Sequence, residues 1–511
     1  MIGRGGFSRP FWIVGVALFV SYAYFYQAGG WNQNSRFALV RAMVEKQTLR
    51  IDAYQDATQD RAISGGHYYS DKAPGASFLA LIPVDIARAV SVMAGVAPDS
   101  PPGIAWLSYV ATVFTSALFT IAAALCVMWL ALFLGYSRGA AIFAATAYGV
   151  ATPAWAYATL FQGHGVTAGC LMIAFSAAVA MARWTAPARI HRLAWIAGVF
   201  CGWAVLSEFP AAVPMIFIVS LALATAYRAD KSSIAGVALR IVAGGAIAAV
   251  LLMAYDTAAF GSPFHVGYAS EEGFEELHKG LFGITYPQWW RVQALFVGRY
   301  RGLLPIAPLM ALTPFGLIAL ARSRDSARPA LVAAAIAVFY LLLNASYFYW
   351  EGGWAFGPRQ MTPALPFLAL GLAPLWDHWP RIARAALVGG WIWGASLTLA
   401  AVATTPQPPA DYQHPVTELF LPYLRAGELA LNTQRFIDLR PDSNIQADGT
   451  VPKASWNLGM KMGLTGKASL APLAAIWICC LLWFIAGERE RARTMAAAAS
   501  AAASRAPGAS A

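Results

Sequence analysis

Residues 31–75 hold the densest set of side chains able to do chemistry. They read WNQNSRFALVRAMVEKQTLRIDAYQDATQDRAISGGHYYSDKAPG. Four acids, Asp52, Asp56, Asp60 and Asp71, fall within twenty residues, beside His67, Tyr68, Tyr69 and Lys72. An ordinary solvated loop is the plain alternative. The Gly65–Gly66 pair, the paired tyrosines and the Lys-Ala-Pro-Gly turn argue instead for a shaped surface. Transfer of a sugar to a hydroxyl needs a base for the hydroxyl proton. It also needs cations to hold a phosphate leaving group. An acid-rich loop with Lys72 supplies both, and Asp52 and Asp60 each fit the base.

Other candidates lie far along the chain. Arg299 and Arg301 occur in VGRYRGLLP and Arg359 in FGPRQ, each just before an apolar run. A lone Arg there is commonly an interfacial anchor. Three on the face that carries the acids make a phosphate site, because guanidinium forks match phosphate oxygens. Glu351 and Trp354 stand beside Arg359, and the aromatic suits either a sugar or the interface. His164, in FQGHG, and Glu208, in LSEFP, sit at the ends of apolar runs. A carboxylate at that depth should face a cavity or a partner. The acidic run Glu271, Glu272, Glu275 and Glu276 reads as a solvated helix face, and no compact metal signature occurs. No metal is required, although a divalent ion is compatible with the chemistry. The five cysteines, Cys126, Cys170, Cys201, Cys479 and Cys480, lie in apolar runs without CxxC spacing, as packing residues.

The elements that position these residues follow from composition. The chain is 59% hydrophobic and 12% charged over 511 residues. That excludes a soluble globule and a disordered chain, and specifies an all-α polytopic membrane protein. About twelve spans are expected, near 11–28, 104–134, 139–158, 166–183, 193–207, 210–227, 236–255, 303–322, 329–348, 362–376, 385–404 and 469–486. The first reads as an uncleaved helix whose Arg4 and Arg9 stay in the cytoplasm. One set of alternate connections then collects eighteen basic residues against five acids, while the other side is close to neutral. This is the positive-inside pattern, with both termini cytoplasmic. It also accounts for the net charge of +11 without nucleic acid.

The long outer segments are 29–103, 256–302 and 405–468, and shorter outer connections carry His164, Glu208, Glu351, Trp354 and Arg359. Residues 76–95 are broken by Pro83, Asp85 and Arg88, which suggests an interfacial helix. The organisation is therefore a catalytic membrane module over 1–404, with periplasmic loops 29–103 and 256–302. A periplasmic cap over 405–468, a last span over 469–487 and a low-complexity cytoplasmic tail over 488–511 follow. No GxGxxG, P-loop or DxD motif stands on the inner side, so a lipid-linked donor fits better than a nucleotide sugar.

A long outer loop after the first helix, rich in acids and ending in Lys72-Ala-Pro-Gly, resembles the GT-C superfamily of membrane glycosyltransferases. That superfamily includes the protein O-mannosyltransferases and the aminoarabinose transferases of lipid A. The segments FGSPFHVGY (260–268) and WEGGWAFGPRQMTPALPFL (350–368) also resemble pieces of bacterial members. The resemblance implies a GT-C-like fold in the bacterial inner membrane with a periplasmic site. It implies an inverting transfer from a polyprenyl-phosphate sugar to an envelope glycan, lipid or protein hydroxyl. Lys72 matches the lysine that approaches the lipid phosphate, with Ala73 in place of a proline. Arg359, Arg301 and Arg299 would assist it, and His67, Tyr68, Tyr69, Glu351, Trp354, Glu208 and His164 would contact sugar or acceptor. One departure stands out. Directly after the first helix, where many members place their acid, this chain reads Asn32-Gln33-Asn34-Ser35-Arg36. The base then falls to Asp60 or Asp52, with Asp60 slightly favoured. A flippase for lipid-linked sugar and a polyprenyl-diphosphate-dependent polymerase or ligase are the alternatives.

Overall fold

The computed structural model describes residues 9–27, 29–184, 186–273, 275–431 and 455–505. Arg4, residues 432–454 of the cap segment and the tail end 506–511 lie outside the described residues. Helices dominate. Among the described residues, nine are long and apolar enough to cross a membrane, and the chain is built as a multi-pass membrane protein. Eight coincide with expected spans, and the ninth is Gly75–Met93, where an interfacial helix was expected. Its Ala80, Val84 and Ala87 pack with Ile104, Leu107 and Val110. Its opposite face exposes Ile82, Ile86, Val90 and Met93.

The other expected spans differ for identifiable reasons. Arg9–Ala23 and Arg138–Val150 are shorter, at 15 and 13 residues. The 303–322 span breaks into Leu303–Ile306, Pro308–Ala311 and Thr313–Ala321. The 362–376 span breaks into Arg359–Ala364, Leu365–Ala369 and Leu372–His378. Pro308, Pro314, Pro363, Pro366 and Pro374 fall in these segments, and each removes an N–H and crowds the preceding turn. Broken backbone at membrane depth is tolerated where protein surrounds it. Met361, Thr362, Ala364, Leu365 and Phe367 are all buried.

Two short antiparallel pairings complete the architecture. Phe25–Tyr26 pairs with Trp456–Asn457, joining the end of the first helix to a segment just before the last. Trp477 Nε1 also donates to Ser21 Oγ at 2.9 Å. Arg61–Ser64 pairs with His67–Ser70 as a hairpin. Its turn residues Gly65 and Gly66 both have positive φ, 57° and 79°, the conformation that a two-residue hairpin loop requires. The bundle core is rich in alanine, which lets helices approach closely.

Residues 31–75 are not merely a loop. Trp31–Lys46 is a helix whose residues 33–42 are all buried, including Gln33, Asn34, Ser35, Arg36 and Arg41. Buried polar groups need partners, and these have them. Asn34 Nδ2 donates to the Ala57 carbonyl at 2.6 Å. The Phe161 amide donates to Gln33 Oε1 at 2.7 Å. Arg36 Nη1 donates to the Ala73 carbonyl at 2.8 Å. This polar helix ties the acid-bearing loop to the bundle interior.

Candidate active site

One large cavity, about 1510 Å³, opens between residues 30–73 and the bundle. Asp60, Lys72, Arg36, His164, Glu208 and Arg359 all line it, as do Tyr268, Trp354 and the run Tyr347-Phe348-Tyr349. Val205, Val213, Leu277, Leu281, Phe339 and Leu343 add an apolar part to its wall.

At its centre Lys72 Nζ lies 3.0 Å from Asp60 Oδ2 and 2.6 Å from Asp71 Oδ2. One ammonium thus bridges two carboxylates. Asp71 is buried at 1% exposure. Its carboxyl is pushed up to about 6 by burial, against the pull of Lys72. Burial works against the charge of Lys72, but Asp60 and Asp71 outweigh it and hold the ammonium above its ordinary range. Ser35 Oγ donates to Asp71 Oδ1 at 3.3 Å and lies 2.8 Å from Ser70 Oγ. Tyr268 lies with its ring 5.2 Å from Lys72 Nζ, and burial raises its hydroxyl. Gly267 permits that approach, since a Cβ there would stand 2.8 Å from the Asp71 Cα and carbonyl oxygen. The FGSPFHVGY segment is therefore pressed onto the Asp71–Lys72 backbone.

Two further groups face the same space. His164 Nδ1 lies 2.6 Å from Glu208 Oε1. The buried Nε of Arg359 has no hydrogen-bond partner among the described residues. A buried, unsatisfied guanidinium nitrogen in a cavity wall is suited to an anionic ligand. The described residues contain no group of three or more His, Cys, Asp or Glu side chains arranged to hold a metal ion.

The structure separates the other sequence candidates from this cavity. Asp52 holds the hairpin: its Oδ2 lies 2.8 Å from His67 Nδ1 and its Oδ1 accepts from the Tyr68 amide at 2.7 Å. Tyr68 stacks under Arg61, and Tyr69 packs with Phe260. None of Asp52, His67, Tyr68 and Tyr69 lines the cavity. Arg301 is buried and donates to the carbonyls of Glu351 (3.2 Å) and Gly353 (2.7 Å), so it shapes the 350–359 loop. Arg299 is exposed, and neither it nor Glu351 lines the cavity. Asn32, Asn34, Arg36, Tyr268 and Gln407 do line it and were not anticipated. The signal for Arg36 was present, in a polar NQNSR run directly after the first span.

No protein-family model matches the chain, and no curated sequence matches it. Its fold is shared with solved structures. ArnT from Cupriavidus metallidurans bound to undecaprenyl phosphate superposes with a TM-score of 0.50 at 16% identity, over 77% of this chain and 64% of that one. The same enzyme in the apo state gives 0.50 at 14%, over 93% and 74%. The chain therefore spans about 64% of the length of the first of these neighbours. ArnT, a lipid A aminoarabinose transferase, is a GT-C enzyme. The fold of this chain is GT-C-like.

Proposed function

We propose that this protein is a membrane glycosyltransferase that moves a sugar from a polyprenyl-phosphate donor to an acceptor hydroxyl of the cell envelope. The observation that carries the reading is the convergence of Asp60, Lys72, Arg36 and Arg359 on one cavity with a partly apolar wall. ArnT was solved with undecaprenyl phosphate, and the shared fold supports the same class of carrier here. In this reading Arg359, Arg36 and Lys72 hold the donor phosphate, and the apolar wall accommodates prenyl carbons. The acceptor oxygen attacks the anomeric carbon from the opposite side, Asp60 takes its proton, and the phosphate leaves with the bonding pair. The configuration inverts. Trp354 and the Tyr347–Tyr349 run offer ring faces to the sugar, and His164 and Glu208 offer polar contacts. The site faces the periplasm of a bacterial inner membrane, in line with the charge asymmetry of the loops.

The test is release of free polyprenyl phosphate by the purified protein from a panel of polyprenyl-phosphate sugars, with an envelope extract as acceptor. Wild type and Asp52→Asn should release it at comparable rates, and Asp60→Asn should not. Binding of a lipid-linked sugar without turnover would favour a flippase. Turnover only of diphosphate-linked donors would favour a polymerase or ligase.

A further inference from the structure

The transfer described above uses one proton acceptor, Asp60, yet the cavity holds a second proton-handling pair. His164 stands in the first turn of Gly163–Ala180, and Glu208 lies between Pro187–Ser207 and the 3-10 turn that follows. The two are brought together by a close approach: a Cβ at Gly163 would stand 2.8 Å from the Glu208 side chain. His164 is 8% exposed and lines the cavity. The Tyr157 ring packs edge-on against the imidazole at 5.6 Å. Besides Glu208, the charges close enough to act on the ring are those of Arg359 and Arg36. The pair therefore sits among the cations that the donor phosphate would occupy, while Asp60 is held by Lys72.

A carboxylate beside one imidazole nitrogen stabilises the imidazolium, leaving the other nitrogen to exchange a proton. Breaking the bond between the anomeric carbon and the phosphate oxygen adds a second negative charge to the departing phosphate. A phosphate monoester takes up its second proton near pH 6, and an imidazolium beside it can supply that proton as a general acid.

We infer that His164, positioned by Glu208, is the general acid that protonates the departing lipid phosphate. This rests on the transferase reading. The balance is complete. The acceptor oxygen forms the new bond to the anomeric carbon and gives its proton to Asp60. The old bond's electrons go to the phosphate oxygen, and His164 gives its Nε2 proton to that phosphate. After release, solvent water carries the proton from Asp60 back to His164, so the enzyme returns to its starting protonation state. Glu208 touches no reacting atom and is a positioning residue.

Two measurements on the full-length protein test this. The first is the pH profile of polyprenyl-phosphate release. Wild-type kcat should fall on the alkaline side, where the imidazolium is lost. His164→Asn should lower kcat about 10²-fold, with donor KM little changed, and should abolish that alkaline limb. Glu208→Gln weakens the stabilisation of the imidazolium, so its limb should move to lower pH. The second needs no turnover: calorimetric binding of undecaprenyl phosphate in buffers of different ionisation enthalpy. Wild type should take up a proton on binding at pH 7.5, and His164→Asn, folded as judged by retained lipid binding, should not. An unchanged alkaline limb in His164→Asn, or the same proton uptake in both proteins, overturns the assignment. A loss confined to KM also overturns it and makes His164 a binding group. Proton uptake that depends on His164 without release from any donor would instead overturn the transferase reading and leave a proton-linked phosphate site.

Discussion

Replacing Lys72 by Met offers the sharpest test of how the site is held together. The substitution keeps the chain length and removes the charge, leaving Asp60 and Asp71 without the ammonium that lies 3.0 and 2.6 Å from them. Asp71, held at about 6 by burial, stays mostly ionised at pH 7.5, some two units above an unfolded value near 3.9. Each unit is worth about 1.4 kcal/mol, so its ionised form already costs about 3 kcal/mol. Without Lys72 it should take up a proton instead, at a ceiling of about 5 kcal/mol at pH 7.5. The increment from Asp71 is then about 2 kcal/mol, and the loss of the Asp60 contact brings the total to roughly 2–4 kcal/mol, near the lower end for a broken buried ion pair. At pH 5 the protonated form costs only about 1.5 kcal/mol in either protein, and the Asp71 increment vanishes. Equilibrium unfolding in detergent micelles at both pH values measures this. The double variant Lys72→Met with Asp71→Asn should recover up to about 5 kcal/mol at pH 7.5, the whole protonation cost of Asp71, without recovering activity. An equal loss at pH 5 and 7.5, or a double variant no more stable than the single one, would refute the argument that burial of Asp71 is supported by Lys72.

The same raised carboxyl has a signature in the unmodified protein. A folded value above the unfolded one means that stability rises as pH falls from above 6 towards 4, and Asp71→Asn should flatten that slope in unfolding curves. Arg301→Ala should lower stability by about 2–3 kcal/mol, because two loop carbonyls lose a charged donor, and should reduce kcat and donor affinity together. Asp52→Asn should cost about 1 kcal/mol or less, since that contact is half-exposed, and leave phosphate release intact. Gly65→Val should weaken the hairpin by about 1–2 kcal/mol, seen as faster amide exchange over residues 61–70, with the cavity unaffected.

The sequence made the membrane class and most long helices legible, because apolar length is a local signal. What it hid depends on tertiary placement. Asp52 and Asp60 look alike as residues eight positions apart, yet one turns back to tie a hairpin and the other meets Lys72. Arg299 and Arg301 look equally anionophilic, but Arg301 spends its donors on backbone carbonyls, as the buried helix-breaking loop beside it demands. The Trp31–Lys46 helix has no apolar stripe, since both its polar and apolar sides are buried, and periodicity therefore has nothing to report. The proline-broken segments were read as spans because their composition is apolar, and only the backbone shows where the hydrogen bonding is interrupted.

The strand pairing of Phe25–Tyr26 with Trp456–Asn457 has a bearing on biogenesis. The helix that carries Arg36 begins only a few residues after Tyr26. Its register against the bundle is fixed partly by residues made more than four hundred positions later, through this pairing and through Tyr24 donating to the Ser469 carbonyl at 2.6 Å. During synthesis the acid-bearing segment is therefore made early and waits for the last helix to arrive. Completion of the cavity becomes one of the final events of membrane insertion. A nascent chain stalled before residue 456 would carry every charged group of the site and still lack its finished shape.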